Sequence, residues 1–229
     1  MNRTTAYATT SALALPKQPA APAREHCGER PAPVVRDLRD RSGRSPHALL
    51  FGPRDLVVVT GLPGSGKSTL MNRAVKGIRI DSQDTRDRWD ARARLLPYAV
   101  YRPLVRLAHY AGLYRALRGG RGVVVHDCGT QAWVRDWLAR EARRRGGTLH
   151  LLLLDVTAGA ALAGQRERGR GVSRYAFLRH RHAAARLIRQ VERGDLPAGV
   201  GSAVLLDRDA ADVLRRIGFT GRPQSLLTR

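Results

Sequence analysis

The stretch "LVVVTGLPGSGKST", residues 56–69, changes character halfway: an apolar, valine-rich run gives way to three glycines in six residues, then to a lysine and two hydroxyl residues. Val57, Val58 and Val59 read as a strand buried on both faces, the mark of a parallel sheet. Gly61, Gly64 and Gly66 open backbone conformations closed to other residues and turn successive N–H groups inward. Residues 61–68 satisfy the spacing G-x-x-x-x-G-K-[ST], with a strand before it and a helical stretch after it, which is the context this pattern requires. At the start of that helix, unpaired amides and the positive dipole end are suited to phosphate oxygens.

Gly61, Leu62, Pro63, Gly64, Ser65, Gly66, Lys67, Ser68 and Thr69 are therefore expected to cradle the polyphosphate of a nucleotide. Of 41 basic residues only Lys17, Lys67 and Lys76 are lysine. The retention of lysine at 67 has a physical reason: a slim stem carrying a point charge fits a narrow loop, and a forked guanidinium does not. Lys67 is expected to reach the β- and γ-phosphates, Ser68 to hold Mg²⁺, and Thr69 to support the loop.

Outward from this loop, 229 residues suffice for one sizeable core with a tail. Residues 1–50 carry Pro16, Pro19, Pro22, Pro31, Pro33 and Pro46 without sustained periodicity and read as a flexible tail. Residues 51–229 read as the nucleotide-binding domain. Short apolar runs at 56–60, 78–80, 123–126, 149–155 and 203–207 alternate with helical stretches near 67–75, 84–95, 99–117, 131–145, 158–168, 175–193 and 209–217. That alternation predicts an α/β fold, a three-layer α/β/α sandwich on a five-stranded parallel sheet.

A net charge of +22 favours polyanionic partners. Arginine dominance also matches the codon bias of a GC-rich genome, and the charge is spread over helices rather than gathered in a block. Cys27 and Cys128 have neither zinc nor disulfide spacing, so a reducing cytosol is expected. The longest apolar run, 149–154, falls far short of the ~20 residues of a bilayer span, so no membrane is expected as a partner. The first residues do not read as a signal peptide.

A phosphate loop says that a nucleotide binds, not what is done with it. A guanine-specific N-K-x-D element needs a downstream lysine, and Lys76 stands in "RAVKGIRID", which excludes it. About 175 residues leave little room for the extra helical domain of ring-forming ATPases. A small kinase using ATP and Mg²⁺ remains. "VVVHDC" places Asp127 at the end of a strand, where a carboxylate shares the metal with Ser68. Asp155, ending "LLLLD", is its rival, although Asp155 or Thr157 also suits the N-cap of the next helix. In "IRIDSQDTRDRW", Asp81 is the candidate proton acceptor and Arg86 a clamp for an anionic substrate. Asp84, Arg86, Asp87 and Arg88 also suit an ordinary solvated helix start. "GQRERGRGVSR", residues 164–174, is a glycine-punctuated arginine cluster suited to a lid, with Arg166, Arg168 and Arg170 closing over a transferring phosphoryl group. Trp133 and Trp137, four apart, read as a core stripe; His109 and His126 lack metal spacing, and His180 and His182 read as surface.

The order of phosphate loop, D-x-x-x-x-R after the second strand, strand-ending aspartate, arginine-rich lid and final short strand resembles the small P-loop kinases of the nucleoside-monophosphate-kinase-like superfamily. Within it the chain is most similar to polynucleotide 5′-kinase domains, zeta-toxin-like kinases, and adenylylsulfate and gluconate kinases, proteins often called AAA family ATPases. The likeness covers residues 55–218. It implies that Arg166 lies near the adenine and that Arg170 is the lid arginine. Many such kinases read D-x-D-x-x-R with the second acid as general base, whereas this chain has Gln83 there. The resemblance then leaves Asp81 or Asp84 as base, or else a nucleotide binder with weak transfer.

The sequence thus predicts a Mg²⁺-ATP-dependent phosphotransferase whose acceptor hydroxyl belongs to a nucleic-acid 5′ end, a nucleotide, a sugar or an antibiotic. The alternative is a nucleotide-dependent nucleic-acid-binding protein without kinase activity, whose affinity would fall steeply with salt.

Overall fold

The computed structural model describes residues 34–41, 44–92, 98–126, 132–167 and 172–220. Among them the strands are β1 (Val34–Asp37), β2 (Ala48–Phe51), β3 (Leu56–Gly61), β4 (Ile78–Ile80), β5 (Val123–His126), β6 (Leu149–Leu154), β7 (Val200–Leu206) and β8 (Arg216–Phe219). The helices are α1 (Lys67–Ala74), α2 (Ser82–Arg92), α3 (Tyr98–Arg118), α4 (Ala132–Arg144), α5 (Ala158–Glu167), α6 (Arg174–Glu192) and α7 (Arg208–Val213).

Strand β3 is buried along its whole length, and its side chains alternate between two cores, as a period of two requires. Val57 and Val59 join Leu152, Leu154, Val204 and Leu206 under α1 and α7. Leu56 and Val58 join Leu149, Leu151, Val123 and Val125 under α3, α4 and α6, which contribute Leu113, Leu138 and Leu187. Removing one such side chain, as in Leu138→Ala, costs about 2–5 kcal/mol because the lost burial is compounded by a cavity. The result is the expected three-layer α/β/α sandwich of the P-loop NTPases.

All pairings in the main sheet are parallel, in the order β1-β7-β6-β3-β5-β4. The five expected strands are all there, but the sheet has six. The sixth, β1, lies within the segment expected to be a tail, as does β2, which pairs in parallel with β8. The reason is that β1 is an edge strand. Its sequence, VVRD, is mostly exposed and lacks the apolar run that marks a central strand. Backbone pairing and Arg39 hold it instead: the guanidinium bonds Asp37 at 2.6 Å, Asp155 at 2.6 Å and Glu192 at 2.8 Å. Strand β8 likewise replaces the end of a helix expected to run to residue 217.

Trp133 is exposed and lies 5.6 Å from Tyr110, ring centre to ring centre, so only Trp137 of the expected stripe packs on the core. No helix among the described residues is long and apolar enough to cross a membrane.

After β3 the chain enters α1 on one face of the sheet; after β5 it enters α4 on the other. The neighbouring strands β3 and β5 therefore send their connections apart. A crevice opens at their carboxyl ends, where open α/β sheets bind ligands.

Candidate active site

Gly64 and Gly66 both adopt positive φ, +88° and +94°, in the turn between β3 and α1. A side chain on Gly64 would also collide with the Ala161 carbonyl of α5. Gly66 is the N-cap of α1 and offers no side-chain bond to the first amides of the helix, whose first turn carries no acidic residue. Those amides and the dipole remain available to an anion. Lys67 is only 5% exposed. Its Nζ donates to the carbonyls of Gly61 at 2.9 Å and Leu62 at 2.6 Å and lies 3.4 Å from Ser65 Oγ.

A cavity of about 260 Å³ joins this loop to distant parts of the chain; among its walls are Lys67, Ser68, Gln83, Arg86, His126 and His180. It thus gathers Lys67, Ser68 and Arg86, three residues singled out in the sequence. Asp81 stands beside it. This carboxylate, 3% exposed, accepts from the Gln83 amide at 2.9 Å and from His126 Nδ1 at 2.9 Å. Burial alone would raise its pKa. The bond and charge of His126 outweigh that, helped by the Gln83 amide and the nearby Ser68 hydroxyl, and hold Asp81 well below the usual carboxylate range. Because a carboxylate only accepts, the imidazole carries its proton on Nδ1, which also lies 3.1 Å from Ser82 Oγ.

Among the described residues, Asp81 Oδ2 and His126 Nε2 are buried without a hydrogen-bond partner. Unpaired buried polar atoms are uncommon and costly, and they concentrate where a ligand completes them. Ser68 and Asp81 offer the hard oxygen donors that Mg²⁺ prefers, so the residues present fit that ion. No group of three or more His, Cys, Asp or Glu among the described residues could hold a metal alone. A cation there would complete its shell with phosphate and water.

Asp127, Arg168 and Arg170 lie outside the described residues. Asp155 is engaged by Arg39, and Thr157 Oγ1 caps α5 by accepting from the Ala160 amide at 3.3 Å. Asp84 lies 3.4 Å from Arg79 and lines a different cavity, at the edge of the sheet. Arg166 is exposed in the last turn of α5, while Thr69, Glu167 and Arg208 line a smaller cavity of about 70 Å³ on the other side of the loop.

Three residues escaped sequence reasoning. His126 precedes the strand-ending aspartate and was visible only as a histidine without metal spacing. His180 lines the cavity although its helix looked solvated. Gln165, 7% exposed, donates from Nε2 to the Pro63 carbonyl at 2.9 Å and accepts the Val172 amide at 3.1 Å. It ties the loop to the segment between α5 and α6. Gly164 beside it admits this approach, since a Cβ there would lie 2.6 Å from the Gly64 carbonyl oxygen.

Comparisons with known proteins agree with this architecture. The fold is similar to that of a protein from the PezAT chromosomal toxin–antitoxin system of Streptococcus pneumoniae, with TM-score 0.51 and 14% identity over 76% of this chain and 80% of that one. Weaker likenesses join a candidate kinase from Chloroflexus aurantiacus (TM-score 0.46, 17% identity, 70% and 88% covered) and a gluconokinase from Sinorhizobium meliloti (0.39, 20%, 71% and 92%). No curated protein sequence matches. The model of the AAA domain family matches residues 56–193, more than half of the sequence. With the glycine loop at the head of that span, the chain belongs to the AAA domain family.

Proposed function

We propose that the protein is a Mg²⁺-ATP-dependent phosphotransferase that moves the γ-phosphoryl group to a hydroxyl acceptor. The observation that carries this reading is the single cavity uniting Lys67 and Ser68 of the glycine loop with Arg86 of α2 and with His126, itself bonded to Asp81.

The loop amides and Lys67 bind the triphosphate and align it. Ser68 and Asp127 would hold Mg²⁺, which would supply charge neutralisation for the phosphates. Arg86 clamps an anionic acceptor, and the acceptor's proton passes to the Asp81–His126 pair. A strong base is not needed, because the transferring group passes through a loose transition state that asks chiefly for positioning and charge stabilisation. Arg170 adds positive charge from the lid, Arg166 lies toward the adenine, and closure excludes water.

The test incubates the protein with γ-labelled ATP, Mg²⁺ and a panel of 5′-hydroxyl oligonucleotides and small alcohols, wild type beside Asp81→Asn. Label transfer that disappears in the variant supports the kinase. Gln83, an amide in the cavity wall, favours a second reading: a nucleotide-dependent nucleic-acid binder. Salt-sensitive DNA or RNA binding without transfer supports that one.

A further inference from the structure

A third cavity, of about 370 Å³, opens at the edge of the sheet between β4, α2 and α3. Its volume is within the range of small-molecule sites, and of its wall residues the mechanism above uses only Asp81. Arg79, Arg88, Arg115, Trp89, His109 and Asp81 are among the residues lining it.

Their chemistry is selective. Arg79 is occupied by Asp84. Among the described residues Arg88 bonds only the neutral Asp84 carbonyl, at 3.0 Å, and Thr85 Oγ1, at 3.5 Å. Arg115 meets no carboxylate among the described residues. Two guanidinium groups, on separate helices, thus retain charge for an anion with several oxygens. Another wall atom, His109 Nδ1, is buried without a hydrogen-bond partner. Burial, with the nearby His126, lowers the His109 pKa. An imidazole nitrogen is completed by a hydroxyl, which can both donate and accept. Trp89 adds an aromatic face for a ring.

We infer that this edge cavity binds a hydroxylated ring compound bearing a phosphate, separately from the nucleotide at the glycine loop. Arg88 and Arg115 hold the phosphate, His109 a hydroxyl, and Trp89 the ring. The inference goes beyond the phosphotransfer reading and stands or falls independently of it.

The test is calorimetric titration, with tryptophan fluorescence followed in parallel, of glucose 6-phosphate and ribose 5-phosphate, alongside inorganic phosphate and glucose, using wild type, Arg88→Ala, Arg115→Ala, His109→Phe, Trp89→Phe and Lys67→Ala. Arg88 and Arg115 are exposed, so their variants fold, and melting curves verify it. The expected result is binding of a sugar phosphate that exceeds phosphate or glucose alone. It weakens about tenfold in either arginine variant, as loss of a charge-assisted bond requires, and is unchanged in Lys67→Ala. His109→Phe narrows the preference for sugar phosphate over inorganic phosphate, and Trp89→Phe removes the ligand-dependent change in tryptophan fluorescence. No heat with either sugar phosphate, or binding lost in Lys67→Ala and kept in both arginine variants, overturns it.

Discussion

Two Asp–His pairs lie at opposite ends of the same sheet, each with nitrogen and oxygen 2.9 Å apart. At the amino end, His150 Nε2 donates to Asp55, which also accepts the amides of Gly52 at 2.6 Å and Thr148 at 2.8 Å. The other His150 nitrogen accepts from Ser202 Oγ at 2.7 Å. Every polar atom of this pair is satisfied, and it laces the loops before β3 and β6 to β7. At the carboxyl end, the Asp81–His126 pair leaves one atom of each partner without a hydrogen bond, and both residues line cavities. The same two side chains at the same distance thus form a structural clasp in one place and a receptive site in the other. What separates them is the completeness of their hydrogen bonding and the end of the strand they occupy.

The contrast is broken or sharpened by substitution. Asp81→Asn, which keeps the shape and removes the charge, is expected to lower label transfer by about 10²–10³-fold; kinetics on a preparation shown by a melting curve to be folded check it. Asp55→Ala should act on stability instead. Leaving two amides and a histidine unpaired costs about 3 kcal/mol, a fall in melting temperature of roughly 6–12 °C, with nucleotide affinity unchanged. If Asp55→Ala abolished transfer without loss of stability, the two ends would not differ as described.

Gln165→Ala is a smaller intervention. It removes the link between the loop and the segment after α5, and nucleotide affinity measured by titration should weaken about three- to tenfold, since a less preorganised loop loses part of its binding energy.

The pH dependence is subtler still. Burial would raise the Asp55 pKa, but His150 and the two amides lower it below the ordinary 3.8. The unfolded chain therefore binds that proton more tightly than the folded one. The clasp's contribution is complete above the ordinary value and is lost as the pH falls through and below it. Denaturant titrations across this acid range should show the stability gap between wild type and Asp55→Asn closing as the pH falls.

Much of this was legible before any coordinates. Local patterns carried the glycine loop, because its backbone demands glycine at fixed spacing, and carried the central strands, because burial on both faces demands unbroken Val and Leu. Edge strand β1 was not legible, since Val34 and Arg36 are exposed and pairing to β7 leaves no mark on side-chain pattern. Among the residues that line the loop cavity, Lys67, Ser68 and Arg86 were singled out by motif and spacing. His126 and Gln165 were missed because their roles depend on partners 45 and 102 positions away, contacts set by topology alone. Glycine 164 looked like punctuation and proved to be the place where α5 touches the loop.

The central claim is that the amides around residues 61–69, with Lys67, hold a nucleotide triphosphate at the crevice between β3 and β5. Its most direct test is calorimetric titration of the folded protein with ATP in the presence of Mg²⁺, wild type beside Lys67→Ala. One saturable site with measurable heat, weakened at least about 100-fold in a variant that still melts cooperatively, is the predicted result. No heat from either ATP or GTP, or equal binding by the two proteins, would contradict it.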